Sequence, residues 1–156
     1  MKIRAALTAI ALVLFVSGCG YRIVMTGMDA AFKLYPATIE NRSNRVEGTS
    51  VFNDAVKLFL ATNNAMADRE EADYIGRFSL LELDYNASGT STISARIKME
   101  IEITDKEGKQ VYTKVLSSFA NSSSETSSNQ NDENKAEAIR SAVEKAMQVF
   151  RNEFDK

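Results

Sequence analysis

The chain has no histidine, and it has one cysteine, one proline and seven glycines among 156 residues. Each shortage removes a class of chemistry. Without histidine there is no Ser-His-Asp or Cys-His relay. A zinc site loses its usual nitrogen ligand, and one thiol cannot replace it. The lone Cys19 also excludes a disulfide within the chain. No Gly-x-Ser-x-Gly elbow and no glycine-rich phosphate loop is present. The formal charge of −2 offers no basic surplus for nucleic acid. No internal repeat of about 20–50 residues is visible. Carboxylates are plentiful, but Glu70 and Glu71 sit in a loop where nothing orients them as acid and base. The residue inventory therefore describes a protein that is not an enzyme and needs no metal or cofactor.

What is present begins at the N-terminus. Lys2 and Arg4 precede the uncharged run of residues 5 to 16, AALTAIALVLFV. A membrane-spanning helix needs about 20 apolar residues. The run is shorter than that, and it fits the apolar segment of an export signal. Val16-Ser17-Gly18-Cys19 follows, with small residues directly before the cysteine, and this resembles the bacterial lipobox. Residues 1–18 are then a lipoprotein signal peptide, and Cys19 is the site of lipid attachment. The alternative is an ordinary signal followed by an unrelated cysteine. Two or more acyl chains give stable anchoring, at about 0.8 kcal/mol per buried methylene. Gly20 stands where an aspartate would resemble an inner-membrane retention signal, which points to the outer membrane.

Removing 18 of the 156 residues leaves 138, and loss of Lys2 and Arg4 reduces the 19 basic residues to 17 against 21 acidic ones, a formal −4. That length suits one domain with one core. Residues 19–31 read as the lipidated N-terminus and a tether, and 32–156 as a single α+β periplasmic domain.

Within the domain, FKLYPATIEN (32–41) is a strand in which Tyr35, Ala37 and Ile39 alternate, and Pro36 places its first half at an edge. NRSNRVEG (41–48) is a polar loop. Ser50 is a candidate N-cap with Asp54 in the first turn. Phe52, Ala55, Val56, Phe59 and Leu60 follow at helical spacing, ending near Asn63-Asn64. DYIGRFSLLELDY (73–85) is a long strand whose apolar face switches near Leu80-Leu81, as a bulge would cause. NASGTS (86–91) is a turn.

The clearest strand is 92–104. Ile93, Ala95, Ile97, Met99, Ile101 and Ile103 share one face, and Ser94, Arg96, Lys98, Glu100 and Glu102 the other. Asp105 to Gly108 makes a hairpin with Gly108 suited to a positive φ. The return strand 109–119 puts Val111, Thr113, Val115 and Phe119 on one side. Residues 121–131 form a serine- and asparagine-rich loop. A final helix from about Asp132 lines up Ala136, Ile139, Val143, Ala146 and Phe150. Acidic residues at its start, and Lys145 and Arg151 late in it, suit the helix dipole. The expected order is β-α-β-β-β-α: a four-stranded, antiparallel-rich sheet with two helices on one face. Asn41-Arg42-Ser43 and Asn86-Ala87-Ser88 match a glycosylation triplet, and beside a bacterial lipobox they read as ordinary loop residues.

Several segments together resemble the LptE family of lipopolysaccharide-assembly lipoproteins. They are Gly18-Cys19-Gly20-Tyr21-Arg22, Ile39-Glu40-Asn41-Arg42-Ser43, Glu71-Ala72-Asp73-Tyr74-Ile75-Gly76-Arg77, the Asp105–Gly108 hairpin, the loop from Phe119-Ala120-Asn121, and the last helix. Each motif is weak alone, and their order carries the resemblance over the whole chain after Cys19. The resemblance implies two helices on a four-stranded sheet. It also implies a partner, the outer-membrane β-barrel LptD, whose lumen such a lipoprotein plugs and whose folding it supports. The implied function is insertion of lipopolysaccharide into the outer leaflet, with direct contact to lipopolysaccharide.

A phosphate-bearing ligand needs Lys or Arg, so Arg96 and Lys98 are the candidate lipopolysaccharide contacts. The competing reading is that Glu100 and Glu102 simply neutralise them. Two other functions remain open: an accessory lipoprotein of another outer-membrane machine, and a periplasmic lipid carrier, which would need an enclosed apolar cavity.

Overall fold

The computed structural model describes residues 29–88, 92–123 and 131–156. Cys19, the signal segment, most of the tether, the tip of the 86–91 turn and most of the serine-rich loop lie outside the described residues. The elements are β1 (Leu34–Asn41), a 3-10 turn (Val46–Gly48), α1 (Thr49–Thr62), β2 (Tyr74–Ser88), β3 (Thr92–Asp105), β4 (Gln110–Ser123) and α2 (Asn131–Phe154). The sheet order is β1-β2-β3-β4. β1 runs parallel to β2, and the other two pairings are antiparallel. The sheet is therefore mixed, and α1 is the crossover that a parallel neighbour requires. Both helices pack against the core face.

Strict alternation decides β3. All six predicted inward residues from Ile93 to Ile103 are buried, and burying each large one contributes about 1.5–3 kcal/mol. β2 changes face as expected: the register with β3 shifts between Leu80 and Glu82, so that Leu80 and Leu83 are both buried. The hairpin after β3 holds as predicted, with Gly108 at φ 82°. The Asp105 carboxylate accepts from the Lys109 amide at 2.8 Å.

Three expectations are corrected. In β1, a register shift between Pro36 and Thr38 leaves Ala37 unpaired with β2. The alternation of Tyr35, Ala37 and Ile39 is thereby broken: Leu34 is the fully buried residue, and Ile39 packs on the core from beyond the bulge. The helix α1 starts at Thr49 after the 3-10 turn, not from a Ser50 cap. Its N-cap is Gly48, with no side-chain hydrogen bond and no acidic residue in the first turn. Thr49 instead donates its hydroxyl to the Val46 carbonyl at 2.7 Å. Finally, β2 and β4 extend into segments read as turn and loop, through Ser88 and Ser123.

The helices bury the faces their spacing predicts. α1 buries Phe52, Ala55, Val56, Phe59 and Leu60. α2 buries Ile139, Val143, Ala146 and Phe150, joined by Ala138, Ala142 and Met147, while Ala136 of the predicted face is only half-buried. Just before β1, Ala30 and Phe32 are buried too. The Ala30 amide donates to the Asn63 carbonyl at 2.9 Å and the Ala31 amide to Asp155 Oδ1 at 3.1 Å. The last residues of the tether stretch thus lie against the domain. No helix among the described residues is long and apolar enough to cross a membrane.

Candidate functional site

The helices cover one face of the sheet, so the outward side chains of β1 to β4 form a second, open face. β3 is its centre. Lys98 donates to Glu82 Oε1 on β2 at 3.0 Å. Glu102 meets Arg77 of β2 at 3.7 Å. Glu100 meets Arg42 at 3.7 Å, and Arg42 also pairs with Glu40. Glu40 in turn accepts from the buried Ser79 hydroxyl at 3.2 Å. The charges are thus paired across strands and not along β3. Antiparallel register explains this, since directly opposed side chains are closer than alternate ones on one strand.

The two predicted contact residues therefore differ. Lys98 is neutralised, though by Glu82 and not by Glu100 or Glu102. Arg96 is exposed and stands in register with Asp84, and it forms no ion pair among the described residues. It lines a surface cleft of ≈ 320 Å³ with Arg45, Asp84, Tyr85, Asn86, Ser94 and Phe119.

Of this cleft, sequence reasoning singled out Arg96 alone as a contact; the second cation it missed is Arg45. The β1–α1 loop that carries it is fixed by Asn41. The Asn41 side chain accepts from the Ser43 amide at 2.9 Å and the Ser43 hydroxyl at 2.6 Å, and its amide group donates to the Arg45 carbonyl at 2.8 Å. Such Asx-type bonding is why Asn initiates turns. It also makes Asn41 an integral part of the loop. Gly48 then lets the loop lie on the sheet: a Cβ there would fall 2.3 Å from Leu83 Cδ2. The Arg45 guanidinium sits 5.6 Å from the centre of the Tyr85 ring, within the range of a cation–π contact. The Tyr85 hydroxyl is buried with no hydrogen-bond partner among the described residues. Burial, reinforced by Glu47 and opposed by Arg45, pushes its pKa up.

The return strand adds an apolar element. Val111, Val115 and Phe119 share a side as predicted, and that side is the open face, where all three are exposed. The core face of β4 carries Tyr112, Leu116 and Ala120 instead, opposite Ile103, Met99 and Ala95 of β3.

Neither a known protein family nor a curated protein sequence matches this chain. Solved structures do. A candidate lipoprotein of Caulobacter crescentus superposes with a TM-score of 0.54 at 14% identity, over 75% of this chain and 87% of that one. A Xanthomonas campestris protein of the DUF330 family gives 0.50 at 12% identity, over 80% and 87%. PelC of Paraburkholderia phytofirmans, solved as a dodecamer, gives 0.50 at 15% identity, over 78% and 89%. At these identities the likeness establishes the fold, which this chain shares with bacterial lipoproteins.

Proposed function

We propose that the chain is an outer-membrane lipoprotein, anchored through a lipidated Cys19 and facing the periplasm, that acts by holding a protein partner and not by catalysis. The finer reading is an LptE-like partner of the LptD barrel, which it plugs and helps to fold for lipopolysaccharide insertion. One observation carries this reading: the part of the open face built by β1, β2 and β3 is polar, and most of its charges are already neutralised in cross-strand pairs. A large barrel has a polar interior. A domain seated there keeps its own ion pairs and adds little uncompensated charge. At the end of this face, Arg96 is the side chain best suited to a phosphate group; Arg45 beside it already meets Glu47 at 3.9 Å, and Lys98 is secondary because Glu82 occupies it.

A second reading is supported by the structural likeness to PelC and the DUF330 protein: an accessory lipoprotein of a different outer-membrane machine. A lipid carrier is the weaker reading, because the space between sheet and helices is filled by Phe52, Phe78, Phe150 and the isoleucines of β3.

The test is affinity capture of the tagged full chain from detergent-solubilised outer membranes, with mass spectrometry of the captured proteins. Near one-to-one recovery of an LptD-type barrel is the expected result. Recovery of another machine selects the second reading, and recovery of the chain alone sinks both. Loss of membrane association in Cys19→Ser would follow from the anchor.

A further inference from the structure

The two edges of the sheet are protected very differently. β1 is eight residues long, carries Pro36, and is kinked by the bulge at Ala37. These are the usual devices against edge pairing. β4 is 14 residues long with no proline, and its irregularity is confined to the hairpin end, where Gln110 and Val111 together oppose Thr104. Its open-face residues from Val111 to Phe119 include no charge. Val111 is 43% exposed, Val115 44% and Phe119 49%.

Helix α2 runs beside this edge. Lys145 donates to the Phe119 carbonyl at 3.1 Å. Two turns later Glu153 accepts from Tyr112 at 2.9 Å and from Lys114 at 2.6 Å. Val149 lies between them, 44% exposed. Lys145, Val149 and Glu153 are four residues apart and follow one line along the helix.

We propose that β4 pairs antiparallel with β4 of a second copy of this chain, about a two-fold axis at Val115. In that register Val111 of each copy stands opposite the partner's Phe119, and Val115 meets its own counterpart. All three exposed apolar residues are then covered at once. The same axis sets the helices antiparallel, and it brings Lys145 to the level of the partner's Glu153 and Val149 to its own counterpart. The charge pattern is complementary in this register. Lys114 falls opposite Leu116, whereas a register centred one residue earlier would oppose two copies of Lys114. The Phe119 carbonyl exchanges Lys145 for the partner's Val111 amide, and this frees Lys145 for the partner's Glu153. Such a contact is isologous and self-limiting, because it consumes the longer and less interrupted of the two edges among the described strands. The inference goes beyond the functional reading and does not rest on it.

Sedimentation velocity of the full chain in detergent, over a range of concentrations, tests the proposal. The wild type is expected to dimerise, and Val115→Lys to weaken association by roughly tenfold or more. Circular dichroism should stay unchanged, since Val115 is an open-face residue. Ala37→Lys on the opposite edge should have no effect. Val111→Lys and Phe119→Glu should each weaken the dimer, and the two together should restore it, because the residues face each other across the axis. A wild type that stays monomeric throughout would overturn the proposal. So would a dimer that the paired exchange fails to rescue.

Discussion

The two ends of the sandwich are built on opposite terms. At one end, where β1 begins and α2 finishes, aromatic rings tie the lead-in to β1, β2, β4 and α2 to one another. Phe32 packs edge-on against Phe150 and Phe154, with ring centres 5.8 and 4.9 Å apart. Tyr112 meets Phe150 at 5.3 Å and sends its hydroxyl to Glu153. Edge-on pairs of this kind contribute about 0.5–1.5 kcal/mol each beyond the area they bury. At the other end, the cleft around Arg45 and Arg96 holds an arginine with no ion pair among the described residues, a buried hydroxyl without a partner there, and an exposed Phe119. Stability is concentrated at the first end; the second, where polar groups are left without partners, is the candidate interaction end.

The sharpest way to break this division is at Phe150. The residue is fully buried and touches Phe32, Phe78, Tyr112 and Phe154. Phe150→Ala removes the centre of the network and should cost about 3–5 kcal/mol in denaturant unfolding. A loss below about 1 kcal/mol, well short of what a cavity in a packed core costs, would show that the aromatic end does not hold the domain together.

A smaller loss is expected at the interaction end from Gly48→Ala. The new methyl group would meet Leu83, a buried residue, at a distance no relaxed contact allows. Overpacking of this kind costs about 1–3 kcal/mol. It should also lift the loop that carries Arg45 off the sheet. Unfolding and partner capture should therefore weaken together. A variant with wild-type stability but lost capture would place the loop's role in binding alone.

Tyr85→Phe tests the sign of the contrast. A buried hydroxyl without a partner costs about 1–3 kcal/mol. Its removal should leave the domain unchanged or stabilise it by up to about 1 kcal/mol, seen as a higher melting temperature. A destabilised Tyr85→Phe would mean the hydroxyl is bonded after all, and the two ends would then be more alike than described.

How much of this was legible in the sequence follows the same physical lines. β3 was readable because its period of two is unbroken from Ile93 to Ile103. The β2 bulge showed as a change of face in the apolar set near Leu80-Leu81. β1 was misread because a bulge at Ala37 flips the faces of a short strand, and Pro36 alone does not announce the flip. The paired state of Lys98 depends on register with Glu82, 16 residues away, which a single strand cannot display. Arg45 was invisible for another reason: its position follows from Asn41 bonding across a loop and from Gly48 resting on Leu83. The only local trace was the Asn-rich stretch closed by glycine. The order of elements came from periodicity, and the site came from contacts between elements.

The smallest expected effect concerns protons at the stable end. Lys114, then Tyr112, hold the Glu153 carboxyl below its ordinary value of 4.5. A carboxylate depressed in the fold contributes stability that is present above that value and is lost as pH falls below it. The partner group moves the other way. Burial, then the hydrogen bond to Glu153 and its charge, raise the Tyr112 pKa above its ordinary value of 10.0. The fold therefore favours the neutral phenol, and that contribution is present below pH 10.0 and declines as pH climbs past it. Glu153→Gln removes the carboxylate and with it both the acid-side term and part of the Tyr112 shift, leaving burial to act alone. Melting temperature plotted against pH should then be flatter in the variant on both limbs, with the acid limb changed most. Parallel curves for the two proteins would show that Glu153 is a surface charge like any other, and that the order at this end comes from its aromatic rings alone.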